Sequence, residues 1–316
     1  MFSAERLRDW ILLLLCNLMW AGQFVLVKIV QEQMGPIAAT SFPMLIATTF
    51  LFPIVHFELR SQPPNVPNRP FLRDWRGFMT IGVLGQVVAQ LFITWGVRYS
   101  LASNAALLML TLPIVTTVMA YFLLGEKMSP IRWLSFALAV AGVMECSGVN
   151  WKELNLVASN YLIGNVLIFF SICGSAFYNV YSKKLLERYT PLQVLLYSYY
   201  FVVALLIPIT ALVEPEAFRE MLHYRTQTWV GIAMLAVIQY CLSMVIFLTV
   251  LSRLDATQAS LSNYLIPFFG LIMAAIVLHE HLTVPMLAGG VLVLLSTLLI
   301  TVYEEHKWAK SGQAVD

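Results

Sequence analysis

Ten stretches of this chain are long and apolar enough to cross a lipid bilayer, and no other feature restricts its fold as strongly. They lie at about 10–30, 36–56, 75–95, 101–124, 131–146, 161–182, 191–213, 229–251, 256–278 and 283–303, the fifth being the shortest. A spanning helix needs roughly 20 mainly apolar residues, because each residue advances only about 1.5 Å through the hydrocarbon. Composition agrees. Apolar types make up 59% of the 316 residues and charged types 11%, whereas a soluble domain carries roughly 25% charged residues to face water. A mean hydropathy of +0.78 leaves too little charge to cover a water-facing sphere of this size. The net charge of +2 gives no reason to expect a nucleic-acid partner or a polybasic membrane tether.

The N-terminal segment carries Arg6 and Arg8 ahead of an apolar run, as a signal peptide does. No small-residue cleavage site follows and the run continues through Val30, so a first span is expected there rather than a cleaved leader. Four cysteines, Cys16, Cys146, Cys173 and Cys241, lie in or at the ends of apolar stretches and form no CxxC pair. They read as packing residues, with neither a metal site nor a disulfide frame expected.

Lysine and arginine set the expected orientation. With the N-terminus inside, the inner segments hold fourteen basic residues and the outer ones five. The positive-inside rule then places both termini in the cytoplasm. The longest inner loop, 58–74, contains Pro63, Pro64, Pro67 and Pro70 and reads as an extended, solvated connector.

The chain also repeats itself. Lys28, Glu32 and Pro36 recur as Lys183, Glu187 and Pro191, 155 residues on; Phe92, Thr94 and Arg98 recur as Phe247, Thr249 and Arg253. Pro113 then matches Pro267, and Glu126 matches Glu280, at an offset of 154, which one deletion near Ser100 explains. Ordered matches in corresponding spans indicate a duplication, with 1–150 as the first copy and 151–316 as the second. Five spans per copy is an odd number, so the second copy enters the bilayer from the opposite side. The expected fold is an all-α integral membrane bundle of ten helices in two inverted five-helix repeats. Such repeats are typical of secondary transporters, with the substrate site at their interface near the midplane.

Trp20-Ala-Gly-Gln-Phe-Val-Leu-Val-Lys28 resembles the first-helix signature of EamA-type proteins in the drug/metabolite transporter superfamily. Thr111-Leu-Pro113 through Leu124-Gly125-Glu126-Lys127 resembles the same family's fourth-helix proline and terminal L-G-E. Leu265-Ile-Pro267 through Leu278-His279-Glu280 repeats that pattern with His279 in place of the usual glycine. The resemblance spans nearly the whole chain. It implies a ten-helix, multi-pass protein of the cell (inner) membrane, monomeric or homodimeric, that carries amino acids, other metabolites or drugs, often outward. It implies no cofactor and no catalysis.

Polar groups within the spans are costly in lipid and should face the interior. None of the four aspartates, Asp9, Asp74, Asp255 and Asp316, falls mid-span; Glu126 and Glu280 lie at span ends and Glu145 near one. Without paired carboxylates inside a span, a membrane-embedded enzyme has little support, and a buried acid relay is not expected. The uncharged polar residues stand out instead. Gln86 and Gln90 are four apart on one helix face; Ser175 and Tyr178 form a stripe with Asn179 beside it. Trp20, Gln239, Asn263 and Tyr264 complete the candidate cavity set. Each of these residues either ties helices together or lines a cavity for a polar, zwitterionic or aromatic molecule.

Lys28 and Lys183 are candidate mouth residues, although snorkelling to the interface explains them equally well. Glu126 and Glu280 are candidate gate acids, or simply helix ends. Pro113 and Pro267 are expected to kink their spans and so serve as hinges, or to be fixed bends. His279 and His281 flank Glu280 at a span end, where an interfacial role is favoured over metal binding, and Trp75, Trp95, Trp229 and Trp308 suit interface anchoring. A sugar-phosphate or nucleotide-sugar carrier of the same superfamily is the alternative. Such anions call for lysine or arginine deep in the cavity, whereas here the basic residues lie near span ends.

Overall fold

The computed structural model describes residues 4–60, 70–99, 108–109, 111–125, 129–131, 133–135, 137–138, 141, 159–266, 269, 288, 291–292, 295–296, 299 and 302–303. Among them every regular element is helical. We number the principal helices α1 (Ala4–Ala21), α2 (Gln23–Gln31), α3 (Pro36–Arg60), α4 (Trp75–Tyr99), α5 (Leu112–Leu124), α6 (Ser159–Leu186), α7 (Pro191–Val213), α8 (Thr226–Leu251) and α9 (Ala256–Leu261). Six stretches among the described residues are long and apolar enough to cross a membrane: Leu7–Gln31, which joins α1 to α2, then α3, α4, Ile163–Leu186 of α6, α7 and α8. This is a multi-pass helical membrane protein. The expected spans at 131–146 and 283–303 lie largely outside the described residues.

Local chemistry sets the helix ends. Pro191 opens α7 behind Thr190, whose hydroxyl accepts from Gln193 N while the Gln193 side chain returns to Thr190 N, a reciprocal cap. Gly125 closes α5 at φ +70°, a left-handed conformation that favours glycine. Pro113 requires a correction. It stands at the start of α5, where its missing N–H costs no helical bond, and Thr111 N bonds back to Leu108 O in a turn just before it. The chain breaks and restarts there rather than kinking mid-helix. Among the described residues, the prolines inside helices are Pro43 and Pro53 in α3 and Pro208 in α7.

Two helices contain a wider turn. In α4, Ile81–Val87 is π-helical, and Val88 N reaches back five residues to Val83 O. In α8, Leu235–Leu242 is π-helical, and Ser243 N reaches back to Ile238 O. The second segment begins 154 residues after the first. A wide turn disturbs the local carbonyl ladder, and nothing in hydrocarbon can repair it except protein. A neighbouring hydroxyl helps to do so in the second segment, where Tyr199 on α7 donates to Tyr240 O (2.7 Å); just past the first, Ser171 on α6 donates to Ala89 O (2.6 Å).

Small residues let α4 and α6 cross closely. A Cβ on Gly174 would sit 2.7 Å from Ala89 N, and one on Gly96 would sit 2.6 Å from Ile168 Cγ1. Lipid supplies no hydrophobic drive between helices, so backbone approach of this kind is what holds them together. Helices α3 and α7 run antiparallel and cap each other. The Glu214 carboxylate accepts from Ile37 N (3.2 Å) and Ala38 N (2.8 Å) at the start of α3. At the opposite end Thr190 donates to Glu58 (3.0 Å).

Loop contacts separate the two ends of the bundle. At one end Arg253 pairs with the buried Asp9 (2.7 Å), Tyr189 donates to Asp74 (2.6 Å), and Lys183 donates to Leu251 O and Leu254 O. At the other, Gln33 accepts from Arg225 N (2.8 Å) and Thr228 (2.6 Å), beside the Glu214 cap.

Candidate functional site

The break between α1 and α2 at Gly22 lies beside a partly open cavity of about 70 Å³. Trp20 and Gln23 line it from the first span, Gln86, Ala89 and Gln90 from α4, and Ser175, Tyr178 and Asn179 from α6. Gln239 and Met244 come from α8, Asn263 and Ile266 from the stretch after α9, and Met109 and Leu112 from the start of α5. None of these lining side chains carries a formal charge.

Both π segments contribute to this wall. Gln86 and Gln239 each sit inside a wide turn and are 2% and 3% exposed. The indole of Trp20 is held in place by donation to Ser243 (3.0 Å) and by the Phe247 ring, 5.0 Å away between centroids. Ser243 in turn donates to Gln239 O. Just below, Asn17 donates to Ser262 (3.0 Å) and to Leu13 O (2.7 Å), which ties the first span to the segment after α9.

Three glutamines then link side chain to side chain. Gln239 Nε2 donates to Gln23 Oε1 (2.9 Å), and Gln23 Nε2 donates to Gln90 Oε1 (3.0 Å). Other buried polar atoms of the same wall have no partner among the described residues: Gln86 Oε1, Gln239 Oε1, and both Asn263 Oδ1 and Nδ2. A buried amide left this way costs on the order of 1–3 kcal/mol. Such atoms in an open cavity are suited to bonding water or a bound molecule.

Of the residues expected in a cavity, Trp20, Gln86, Gln90, Ser175, Tyr178, Asn179, Gln239 and Asn263 are brought together here. Tyr264 is not on the lining; it is buried at 1% exposure beside Asn263. Gln23 was not anticipated, although it stands one turn beyond Trp20 and six residues after Asn17, within reach of the same helical face. Ala89, Met109, Leu112, Met244 and Ile266 line the cavity with no contrast against the apolar spans that hold them. Lys183 lies away from the cavity, where its ammonium caps the carbonyl end of α8. Glu126, Glu280 and Pro267 lie outside the described residues, as does the side chain of Lys28. Among the described residues no group of three or more histidine, cysteine or acidic side chains is placed to hold a metal ion.

Known proteins of the same length share this sequence pattern. A "Probable amino-acid metabolite efflux pump" of Salmonella typhimurium is 25% identical, over 91% of this chain and 92% of its own. A "Probable terminal-alkyne amino-acid exporter" of Streptantibioticus cattleyicolor is 24% identical, over 91% of each chain. An "Uncharacterized transporter" of Archaeoglobus fulgidus is 23% identical, over 92% of this chain and 96% of its own. One solved crystal structure superposes with a TM-score of 0.70 at 14% identity, covering 94% of this chain and 97% of that one, a likeness of fold alone. The model of the EamA-like transporter family matches residues 9–146 and again 162–302. The chain belongs to the EamA-like transporter family.

Proposed function

We propose that this protein is a secondary transporter that exports small metabolites, amino acids or related compounds, across the inner membrane by alternating access. The observation that carries this reading is the uncharged, amide-rich cavity walled by α1, α2, α4, α6 and α8, with polar atoms in its wall that have no partner among the described residues. In this reading the chain is ten helices in two inverted repeats, 1–150 and 151–316, and one repeat rocks against the other about the cavity. Two features support the duplication: the family model matches twice, and π-helical turns recur 154 residues apart, within one residue of the 155-residue offset that relates the same two helices. Both termini face the cytoplasm, which accords with Glu58, Asp74 and the segments 187–190 and 252–255 gathering at the end of the bundle that holds Asp9. Relatives described as amino-acid exporters support the substrate class and the direction.

The test is counterflow in liposomes. Purified protein in vesicles preloaded with unlabelled neutral amino acids is expected to accumulate the labelled compound saturably, and the label should be recovered unmodified. Recovery of a chemically altered product would replace transport with catalysis. Counterflow of sugar phosphates alone would move the substrate to another class.

A further inference from the structure

The chain of three glutamines has a direction. As described, hydrogen bonds run from Gln239 to Gln23 to Gln90. A carboxamide carries an acceptor oxygen at one end and a donor nitrogen at the other, and a half-turn exchanges them at little cost in shape. If all three amides turn together, the same two contacts reform in reverse. Only the ends of the chain change. In the described direction Gln239 leaves its Oε1 without a partner among the described residues, and Gln90 takes part through its Oε1, with its Nε2 at the outer end. In the reverse direction Gln239 offers a donor and Gln90 an acceptor. The cavity therefore holds a neutral wire, fixed at Gln23, whose two ends always differ in hydrogen-bonding character.

The surroundings define what such a wire suits. No described lining side chain is charged, so an ion of one sign entering this space meets no counter-charge and bears its desolvation cost unaided. A molecule with a donor group at one end and an acceptor group at the other brings its own counter-charge and finds an opposite partner at each end of the wire. Asn263, buried with both amide atoms unpartnered, adds a second adjustable amide. Met109, Leu112, Met244 and Ile266 supply an apolar wall for the remainder of the ligand.

We propose that Gln23 determines specificity. Through Gln90 and Gln239 it selects a zwitterion with an apolar side chain over a cation or an anion of the same shape. This deepens the proposed function and rests on it.

Three probes share one branched carbon skeleton: L-leucine as zwitterion, 3-methylbutylamine as cation and 4-methylpentanoate as anion. Their binding to the purified full-length protein is measured by calorimetry, beside the melting temperature of each variant. Wild type is expected to bind L-leucine at least about tenfold more tightly than either analogue, the worth of one well-placed hydrogen bond in a buried site. In Gln23→Glu the carboxylate only accepts, so both neighbours must donate to it and both outer ends become acceptors. That variant should lose L-leucine by about tenfold or more and rank the amine first. Gln23→Met keeps the length without the amide and should bring L-leucine down to the level of its analogues. If Gln23→Glu does not fold, the methionine variant carries the test. An unchanged ranking in folded variants that still bind L-leucine would overturn the wire and leave the transport reading standing. Failure of wild type to bind any of the three probes would overturn the selectivity of Gln23, and the counterflow test then decides the transport reading separately.

Discussion

The cavity and the α3–α7 seam are both buried and both rich in polar side chains, yet they handle those side chains in opposite ways. Along the seam Glu214 meets two backbone N–H groups, Ser41 meets Thr210 (2.8 Å), and Glu58 accepts from Thr190. In the cavity Gln86, Gln239 and Asn263 keep atoms with no protein partner. A span gains nothing from such atoms, because hydrocarbon cannot bond them. Unpartnered buried atoms occur elsewhere among the described residues, at Asn17 Oδ1 and Thr116 Oγ1, but those of Gln86, Gln239 and Asn263 gather in one concave wall, and that grouping favours the wall as the place where something else binds. Each substitution below should act on stability or on binding according to the region it touches.

The largest effect should come from closing the α4–α6 crossing that both regions depend on. In Gly174→Val the added Cβ would stand 2.7 Å from Ala89 N and 2.9 Å from Val88 Cβ, contacts to backbone and branched atoms that cannot move aside. Overpacking of this kind costs about 3 kcal/mol or more. The expected outcome is little monodisperse protein on size exclusion, with seam and cavity lost together. A well-folded Gly174→Val variant would show that the crossing is looser than its geometry.

The next two changes separate the regions. Glu214→Ala strips the cap from α3 and leaves the N–H groups of Ile37 and Ala38 unbonded. Stability should fall by roughly 2 kcal/mol, as for other lost helix caps, and ligand affinity in the surviving protein should be unchanged. Gln90→Ala should do the reverse. It removes one end of the glutamine chain, so affinity should drop by about tenfold while the melting temperature falls less than in Glu214→Ala. Measuring melting temperature and affinity on both variants decides the matter. If Gln90→Ala lowers stability alone, the cavity amides are seam by another name.

The same contrast explains what the sequence discloses. Gln86, Gln90, Tyr178 and Asn179 are legible because a polar residue in an apolar span is conspicuous, and helical spacing puts such residues on one face. Helix starts are legible where Pro36 and Pro191 set them. Gln23 is harder, because it follows a glycine at a helix break that apolar periodicity does not register. Met109, Leu112 and Met244 are invisible in principle, since an apolar wall of a cavity and an apolar wall against lipid use the same residues. The π turns are hidden for a related reason. Ile81–Val87 and Leu235–Leu242 read as ordinary apolar helix, and only the fold shows that the first packs against α6 and α7, with Gly82 held against Ser198 and Gly85 against Tyr178, and the second mainly against α3. Pro113 misleads because a proline within an apolar run looks internal, whereas the break that precedes it depends on tertiary structure.

The smallest expected effect belongs to the bundle end, where partners are complete and water is near. Tyr189, in the turn between α6 and α7, donates to Asp74 at 2.6 Å. Burial, helped by the hydrogen bond to the Asp74 carboxylate and by its charge and opposed by Arg73 and Arg188, raises its hydroxyl from 10 to about 12. A group whose pKa is higher in the folded state binds its proton more tightly there. Its stabilising contribution is therefore complete below pH 10 and is lost as pH rises toward 12. Melting temperature measured across that window should fall more steeply in wild type than in Tyr189→Phe, which has no proton to lose. Below pH 9 the two curves should run parallel, with the phenylalanine variant lower by the value of one partly exposed bond, about 1 kcal/mol. Affinity at the cavity should not differ between them at any pH in that range. A Tyr189→Phe variant with altered affinity and an unaltered alkaline limb would mean that this end of the bundle is coupled to the cavity rather than merely closed.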